Sequence, residues 1–342
     1  MTDNIKILHL DFGMEWRGGQ RQSLTLHRNL LKHNFSSYYV CLEGSRVYEQ
    51  AHEIGINHVL AIPFRKPHLT RLLKEWGPAI LHFHESKSLK YAPFFRQFKT
   101  VATRRVSYPI SFLGRMFKYK AVDHHVGVSQ EIADYLSGYF RNVTTIHSCV
   151  DKERFAKAPV KIFKNDKINV LFVGAFSPQK GLEILMEASK KIIRSFPNVH
   201  FHLVGDGELM PAIRKMQDHN EGFYTFYGHR KNVEDFYLNA DLVIVPSVGG
   251  EGSSGTIKEG MMAGKPVIAS DLACNFELLP EELQPFCFKN KSVPDLEEKI
   301  EAAIKELKNF DREKLTNTAL EFSCEKMTEK YISLYQSLAG AL

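Results

Sequence analysis

Between Glu251 and Ser270 the chain reads Glu-Gly-Ser-Ser-Gly-Thr-Ile-Lys-Glu-Gly-Met-Met-Ala-Gly-Lys-Pro-Val-Ile-Ala-Ser. Ser253, Ser254 and Gly255 are residue types that cap helix starts or accept unusual backbone angles, so a helix is expected to open near Ser254. A helix N-terminus offers unpaired amide N–H groups and the positive end of a dipole, which suits a diphosphate. Glu259 falls a little over one turn into that helix. From there its carboxylate can accept hydrogen bonds from ribose hydroxyls, as the acidic residue of dinucleotide folds does. Glu251 precedes the helix, at the edge where a sugar attached to the diphosphate would lie. The plainer reading is a helix cap flanked by surface glutamates.

Other residues carry weaker signals. His82 and His84 flank Phe83 at a strand end, and period-two spacing puts both on one face. They are read as packed histidines or as substrate contacts; a metal would need a third ligand that the motif does not supply. His147, His124 and His125 are read as structural. The five cysteines, Cys41, Cys149, Cys274, Cys287 and Cys324, are odd in number, scattered and without a CxxC pair. That pattern suits reduced thiols and argues against a disulfide framework or a zinc site.

These residues need a scaffold. The chain has 342 residues, with 44% hydrophobic and 25% charged, which suits about two globular domains and excludes a disordered or collagen-like chain. Short apolar runs alternate with amphipathic stretches. Strands are expected at Ile5–Leu10, Tyr38–Leu42, His58–Ile62, Ala79–Phe83, Thr100–Thr103, His125–Val128 and Thr144–His147. In the second half they are expected at Asn169–Val173, His200–Val204, Tyr224–Tyr227, Leu242–Pro246, Val267–Ala269 and Phe286–Phe288. Such alternation implies βαβ units and parallel sheets. The expected fold is α/β: two Rossmann-like, doubly wound parallel-sheet domains facing a cleft, with ligands outside the carboxyl ends of the strands. The expected boundaries are 1–160, 161–323 and a C-terminal helix over 324–342, with 151–167, which holds Pro159 and five lysines, as the linker. On that last helix Met327, Tyr331, Leu334, Tyr335 and Leu338 share one face, so it must dock on a domain, and the N-terminal one is the candidate.

Glycosyltransferase family 4, the retaining enzymes of GT-B fold, is what this sequence resembles. The Glu251-x7-Glu259 spacing followed by Gly264-Lys-Pro-Val267 is similar to that family's signature. Val170-Leu-Phe-Val-Gly174 with Lys180-Gly181, His202-Leu-Val-Gly205-Asp-Gly207 and Phe226-Tyr-Gly228-His229-Arg230 resemble its other strand ends, as does Ala240-Asp241 leading to Pro246-Ser247. In the first half Trp16-Arg17-Gly18-Gly19-Gln20 and Val126-Gly-Val-Ser129, followed by Val150-Asp151 and Phe155, do the same. The resemblance extends to bacterial lipopolysaccharide and cell-envelope glycosyltransferases.

It implies the following roles. Gly18 and Gly19 admit donor phosphates to backbone amides. Lys180, with Ser254 and the amides of Gly255 and Thr256, neutralises the leaving diphosphate. Glu259 holds the ribose, Glu251 the sugar, and Gly228, His229 and Arg230 lie near the base. The N-terminal domain takes a glycan or lipid-linked acceptor, and a nucleotide-diphosphate sugar is the co-substrate. The chain contains no Asp-x-Asp pair, the metal-binding motif of the other large glycosyltransferase fold, so metal-independent transfer with no cofactor is expected.

Three positions depart from the family pattern. Ala175 stands where an arginine is common, and Arg17, Arg21 or Arg104 are the candidates to replace its charge. Arg104 and Arg105 stand where a histidine is common, and two guanidiniums there suit a phosphate. The segment Leu272–Glu277 lacks the usual glycines, which leaves only Glu277 as a point of interest.

Net charge completes the reading. Residues 1–150 carry 20 Lys+Arg against 11 Asp+Glu, and the remainder 25 against 28, so the overall +6 is +9 and −3. Between Glu85 and Asp123 lie 37 residues without an acid, holding nine basic and eight aromatic residues. That mixture suits an anionic membrane surface. With no nucleic-acid motif and an acidic second half, nucleic acid is not expected as a partner. The first residues lack a secretory signal pattern, and no apolar run is long enough to span a bilayer, so a cytoplasmic protein peripherally attached to the membrane is expected. A nicotinamide oxidoreductase would need G-x-G-x-x-G after the first strand, which is missing. The alternative is a non-catalytic binding module on the same fold.

Overall fold

The computed structural model describes residues 5–340 apart from 78, 159, 164–165 and 218–220. They form two compact units. The first spans residues up to Cys149 and takes back the chain from Cys324 onward; the second is Val150–Ser323.

The first unit holds strands β1 (Lys6–Leu10), β2 (Ser36–Leu42), β3 (Val59–Ile62), β4 (Ile80–Phe83), β5 (Lys99–Arg104), β6 (His124–Gly127) and β7 (Val143–Thr145). They form one parallel sheet in the order β3-β2-β1-β4-β5-β6-β7. β1 is buried from Ile7 to Leu10 and β4 along its whole length, as expected for strands covered on both faces. The helix Gly18–Lys32 and the C-terminal helix Cys324–Gly340 cover one face. Leu26 and Leu30 of the former pack with Met327, Tyr331 and Tyr335 of the latter, and Asn29 Nδ2 donates to Thr328 Oγ1 at 3.3 Å. Residues 341–342 of the expected helix lie outside the described residues.

The second unit holds β8 (Ile168–Val173), β9 (Val199–Val204), β10 (Tyr224–Gly228), β11 (Leu242–Val245) and β12 (Val267–Ala269), parallel in the order β10-β9-β8-β11-β12. The expected strand at Phe286–Phe288 is replaced by a short helical turn at Gln284–Phe286, which Pro285 favours, and one bridge from Phe288 to Ser270. The stretch 151–167 is not a free linker. Phe155 and Phe163 are buried in the second unit's core, and Phe163 stacks on His202 with ring centroids 3.6 Å apart. That anchorage draws the start of the second unit back to Val150. Pro159 and Lys164 lie outside the described residues.

The expectation of five reduced thiols is also corrected. Cys149 and Cys324 are joined as a disulfide, with Cα atoms 4.8 Å apart, where the chain leaves and rejoins the first unit. Scattered cysteines hid the pair because 175 residues separate them in sequence. Cys41, Cys274 and Cys287 are free. No helix among the described residues is long and apolar enough to cross a membrane.

In each sheet the strand order reverses at one point, between β1 and β4 in the first and between β8 and β11 in the second. Loops diverge there, and ligands bind at such points in open parallel sheets.

Candidate functional site

At the second unit's switch point the loops after β8 and β11 meet. Gly181, with φ +65°, allows this: a Cβ there would lie 1.8 Å from the carbonyl oxygen of Pro246. The backbone crossing brings Lys180 to the β11 loop, where its Nζ pairs with Glu251 Oε1 at 2.5 Å. Ser247 Oγ donates to the same oxygen at 2.7 Å. Ser247 is held in turn, since its carbonyl accepts from Ser270 Oγ at 2.5 Å, and Asn275 Nδ2 donates to that hydroxyl at 3.2 Å.

The helix opens at Gly255, as the cap residues require, and runs to Met262 with Ser254 accepting from the Ile257 amide at 3.4 Å. Thr256 Oγ1 donates to the Val173 carbonyl at 3.3 Å, tying the helix start to the end of β8. Within this helix Lys258 is fully buried. Its Nζ donates to Ser253 Oγ at 2.7 Å, which fixes the loop before the cap. Burial pulls this ammonium down to about 7, against the pull of Glu259, Glu277 and Glu251. Glu259 is 6% exposed. It pairs with Arg154, whose other guanidinium nitrogen pairs with Glu234. His229 and Arg230 are exposed just beyond Gly228 at the end of β10.

The first unit's switch point gathers another group. The helix Gly18–Lys32 begins with no side-chain cap from Arg17 and no acid in its first turn. Arg17 and Gly18 are exposed. A Cβ on Gly19 would lie 3.3 Å from Arg105 Cδ, so this loop and the turn after β5 are neighbours. Arg105 donates to the His84 carbonyl at 3.0 Å and to His84 Nδ1 at 3.2 Å. Arg104 faces away, because successive strand residues point to opposite faces. Its guanidinium donates to Tyr119 Oη at 3.0 Å and to the Tyr108 carbonyl. The expected pair of guanidiniums is therefore split, and only Arg105 stands by the glycine loop.

His82 and His84 point into the first unit's interior. His82 is fully buried; its Nδ1 meets Tyr335 Oη at 2.6 Å and its Nε2 meets Thr103 Oγ1 at 2.7 Å. His82 thus braces β4 against β5 and the C-terminal helix, with both ring nitrogens engaged by side-chain hydroxyls. His9 Nδ1 lies 2.8 Å from His84 Nε2, supplying the third imidazole that the sequence motif lacked. Arg105 donates to His84 Nδ1, which leaves the His84 proton on Nε2, directed at His9. His9 Nδ1 then accepts from His84, while both ring nitrogens of His82 face the hydroxyls of Tyr335 and Thr103. Burial, with the Arg105 charge added, holds all three imidazoles well below their ordinary pKa, so they are neutral.

Sequence reading missed Arg154, Glu234 and His9, and it gave no role to Ser247 or Asn275 although both lie in stretches it singled out. Arg154 lies three residues after the Val150–Asp151 motif, at the end of the charged run Asp151–Arg154 and just before the buried Phe155, and that position was the available signal.

Two doubly wound parallel units, one presenting a capped helix start beside a lysine and two glutamates, define a protein of the GT-B class. Comparison with known proteins agrees. A model of the family "Glycosyltransferase Family 4" matches residues 16–154, and one of "Glycosyl transferases group 1" matches residues 167–306. An uncharacterized glycosyltransferase of Methanocaldococcus jannaschii is 30% identical over 238 residues, 67% of this chain and 64% of that protein. The phosphatidyl-myo-inositol mannosyltransferase of Mycolicibacterium smegmatis is 26% identical over 225 residues, 60% of this chain and 58% of the relative. The chain thus spans less than two thirds of either relative's length. In fold it is similar to Anabaena HepE solved in complex with UDP, with TM-score 0.85, 17% identity, and 97% and 100% of the two chains covered. The chain belongs to the family-4 glycosyltransferases.

Proposed function

We propose that the protein transfers a sugar from a nucleotide-diphosphate sugar to a membrane-associated glycan or lipid-linked acceptor, such as an envelope polysaccharide, with retention of configuration and without a metal. The observation that carries this reading is the meeting of Lys180, Glu251 and the Ser254-capped helix start at one switch point. In the donor-free state Glu251 holds the Lys180 ammonium. An incoming diphosphate competes for that ammonium and for the amides of Gly255 and Thr256, and frees Glu251 for the sugar hydroxyls. Charge building on the leaving diphosphate is then met by preorganised donors. Glu259 takes the ribose, and the turn Gly228–Arg230 lies toward the base. Retention follows if the acceptor attacks from the leaving-group side.

The first unit is assigned the acceptor, with Gly18, Gly19 and Arg105 as an anion-binding edge. Its acid-free stretch supports an anionic membrane as partner. Phe95, Ile110 and Tyr119 of the stretch are core, but Phe112 and Phe117 are each 66% exposed, with Leu113, Met116 and Tyr108 also exposed beside Arg115, Lys118 and Lys120. Rings and cations presented together suit a headgroup layer.

The test is thermal stabilisation of the protein by a panel of nucleoside diphosphates and their sugars. At least one is expected to raise the melting temperature, and much less so in Glu259→Gln. If no nucleoside diphosphate shifts it, the proposal fails.

A further inference from the structure

We propose that Arg154 is a positioning residue that sets the preference of the nucleotide site for ribose over 2′-deoxyribose, by holding the Glu259 carboxylate in the orientation that meets both ribose hydroxyls. The inference rests on the proposed donor site, because it takes Glu259 as the ribose ligand.

Three features carry it. Arg154 ends the short turn Lys152–Arg154, whose Asp151 cap accepts from the Glu153 amide at 3.2 Å. The next residue, Phe155, is buried against Tyr237 in the second unit's core. The arginine is thus anchored on both sides and is not a loose surface side chain. Its guanidinium then spans two helices: Nη1 reaches Glu259 Oε1 at 3.2 Å, and Nη2 reaches Glu234 Oε2 at 2.7 Å. The side chains of Glu259 and Glu234 are only 8% and 19% exposed, so water competes little with the guanidinium for either carboxylate.

A planar fork shared by two partly buried carboxylates fixes direction as well as charge. Lysine, a point charge on a flexible stem, reproduces the charge alone. Direction matters at Glu259 because a carboxylate that accepts from vicinal hydroxyls must present its oxygens to both at once. Without Arg154, Glu259 and Glu234 face one another with their shared cation removed, and Glu259 turns away from its neighbour. The hydroxyl contacts are then lost before any other part of the nucleotide site is disturbed. This separates Arg154 from a purely structural ion pair, whose loss would weaken ribonucleotides and deoxyribonucleotides alike.

The experiment compares binding of UDP with 2′-deoxy-UDP, and of GDP with 2′-deoxy-GDP, by titration calorimetry on the full chain and its Arg154→Gln, Arg154→Lys and Glu259→Gln variants. Hydrogen bonds to a charged group set the scale, and the intact protein is expected to prefer the ribonucleotide by roughly tenfold or more. Glu259→Gln is expected to remove most of that preference. Arg154→Gln is expected to reduce it to about threefold or less while deoxynucleotide affinity changes little, with Arg154→Lys in between. If Arg154→Gln fails to fold, Arg154→Lys carries the comparison. A full ribose preference in the folded Arg154 variants, with the preference lost in Glu259→Gln, overturns the role of Arg154 and leaves the donor site standing. An undiminished preference in Glu259→Gln, or no binding of either nucleotide pair to the intact protein, overturns both.

Discussion

Lys258 buries an amino group inside the second unit, and replacing it with methionine exposes the cost of protonating it there. The side chain is completely buried in the helix Gly255–Met262, and burial lowers its pKa from 10.5 to about 7 despite Glu259, Glu277 and Glu251. A lysine whose folded pKa lies below its unfolded value costs stability at every pH below the folded pKa. The cost fades as pH rises from about 7 toward 10.5, where the unfolded chain keeps a proton that the folded one has lost. At ~1.4 kcal/mol per pH unit the gap between those values corresponds to about 5 kcal/mol, an upper bound reached below pH 7. Methionine fills similar volume without the charge, and it removes the donor to Ser253, which subtracts a pH-independent ~1 kcal/mol from any gain. Lys258→Met is therefore expected to improve most, relative to the unsubstituted protein, at acid to neutral pH. That advantage should shrink by about 2–3 kcal/mol between about pH 6 and pH 9. Urea unfolding followed by circular dichroism at those pH values measures it; Trp16 and Trp76 both lie in the first unit, so tryptophan fluorescence would miss this one. A difference between the two proteins that stays constant across this pH range would refute the reasoning.

Two further outcomes follow from the first unit. Breaking the Cys149–Cys324 bond with Cys149→Ser reopens a link between residues 175 apart, and the chain-entropy view gives a loss of about 2–5 kcal/mol. Urea unfolding of the first unit read by tryptophan fluorescence, with and without reductant, checks it; a variant as stable as the oxidised protein would contradict it. For the exposed ring patch, the double substitution Phe112→Ser, Phe117→Ser is expected to lower co-sedimentation with phosphatidylserine vesicles by at least about tenfold. Unsubstituted protein should release as salt rises, and salt-insensitive or absent binding removes the electrostatic docking reading.

Local pattern carried well where a residue's role depends on its neighbours in sequence. The Ser254 cap and the helix at Gly255 were legible because capping chemistry lies within four residues. The strands of both sheets were legible because parallel strands buried on two faces read as unbroken apolar runs, and β1 through β12 lie within two residues of the expected spans. Phe286–Phe288 misled because it is as apolar as a strand, yet Pro285 turns it and only Phe288 bridges to the sheet. Contacts assembled across long sequence separations were not legible. Arg154 meets Glu259 across 105 residues, and His82 meets Tyr335 across 253. Arg104 and Arg105 looked equivalent in sequence, and only strand alternation sends one into Tyr119 and the other to the glycine loop.

The central claim is that Lys180 meets the leaving diphosphate of a nucleotide sugar in a site that needs no metal. The most direct test is proton NMR of the anomeric signal while the protein, held in EDTA, slowly hydrolyses the sugar nucleotide that stabilises it best. The account predicts release of the sugar first in the anomeric configuration it had in the donor. In Lys180→Met, the loss of one charge-assisted contact should slow that release by about tenfold or more. Equal release by both proteins, inverted product, or release that appears only when a divalent cation is added would contradict it.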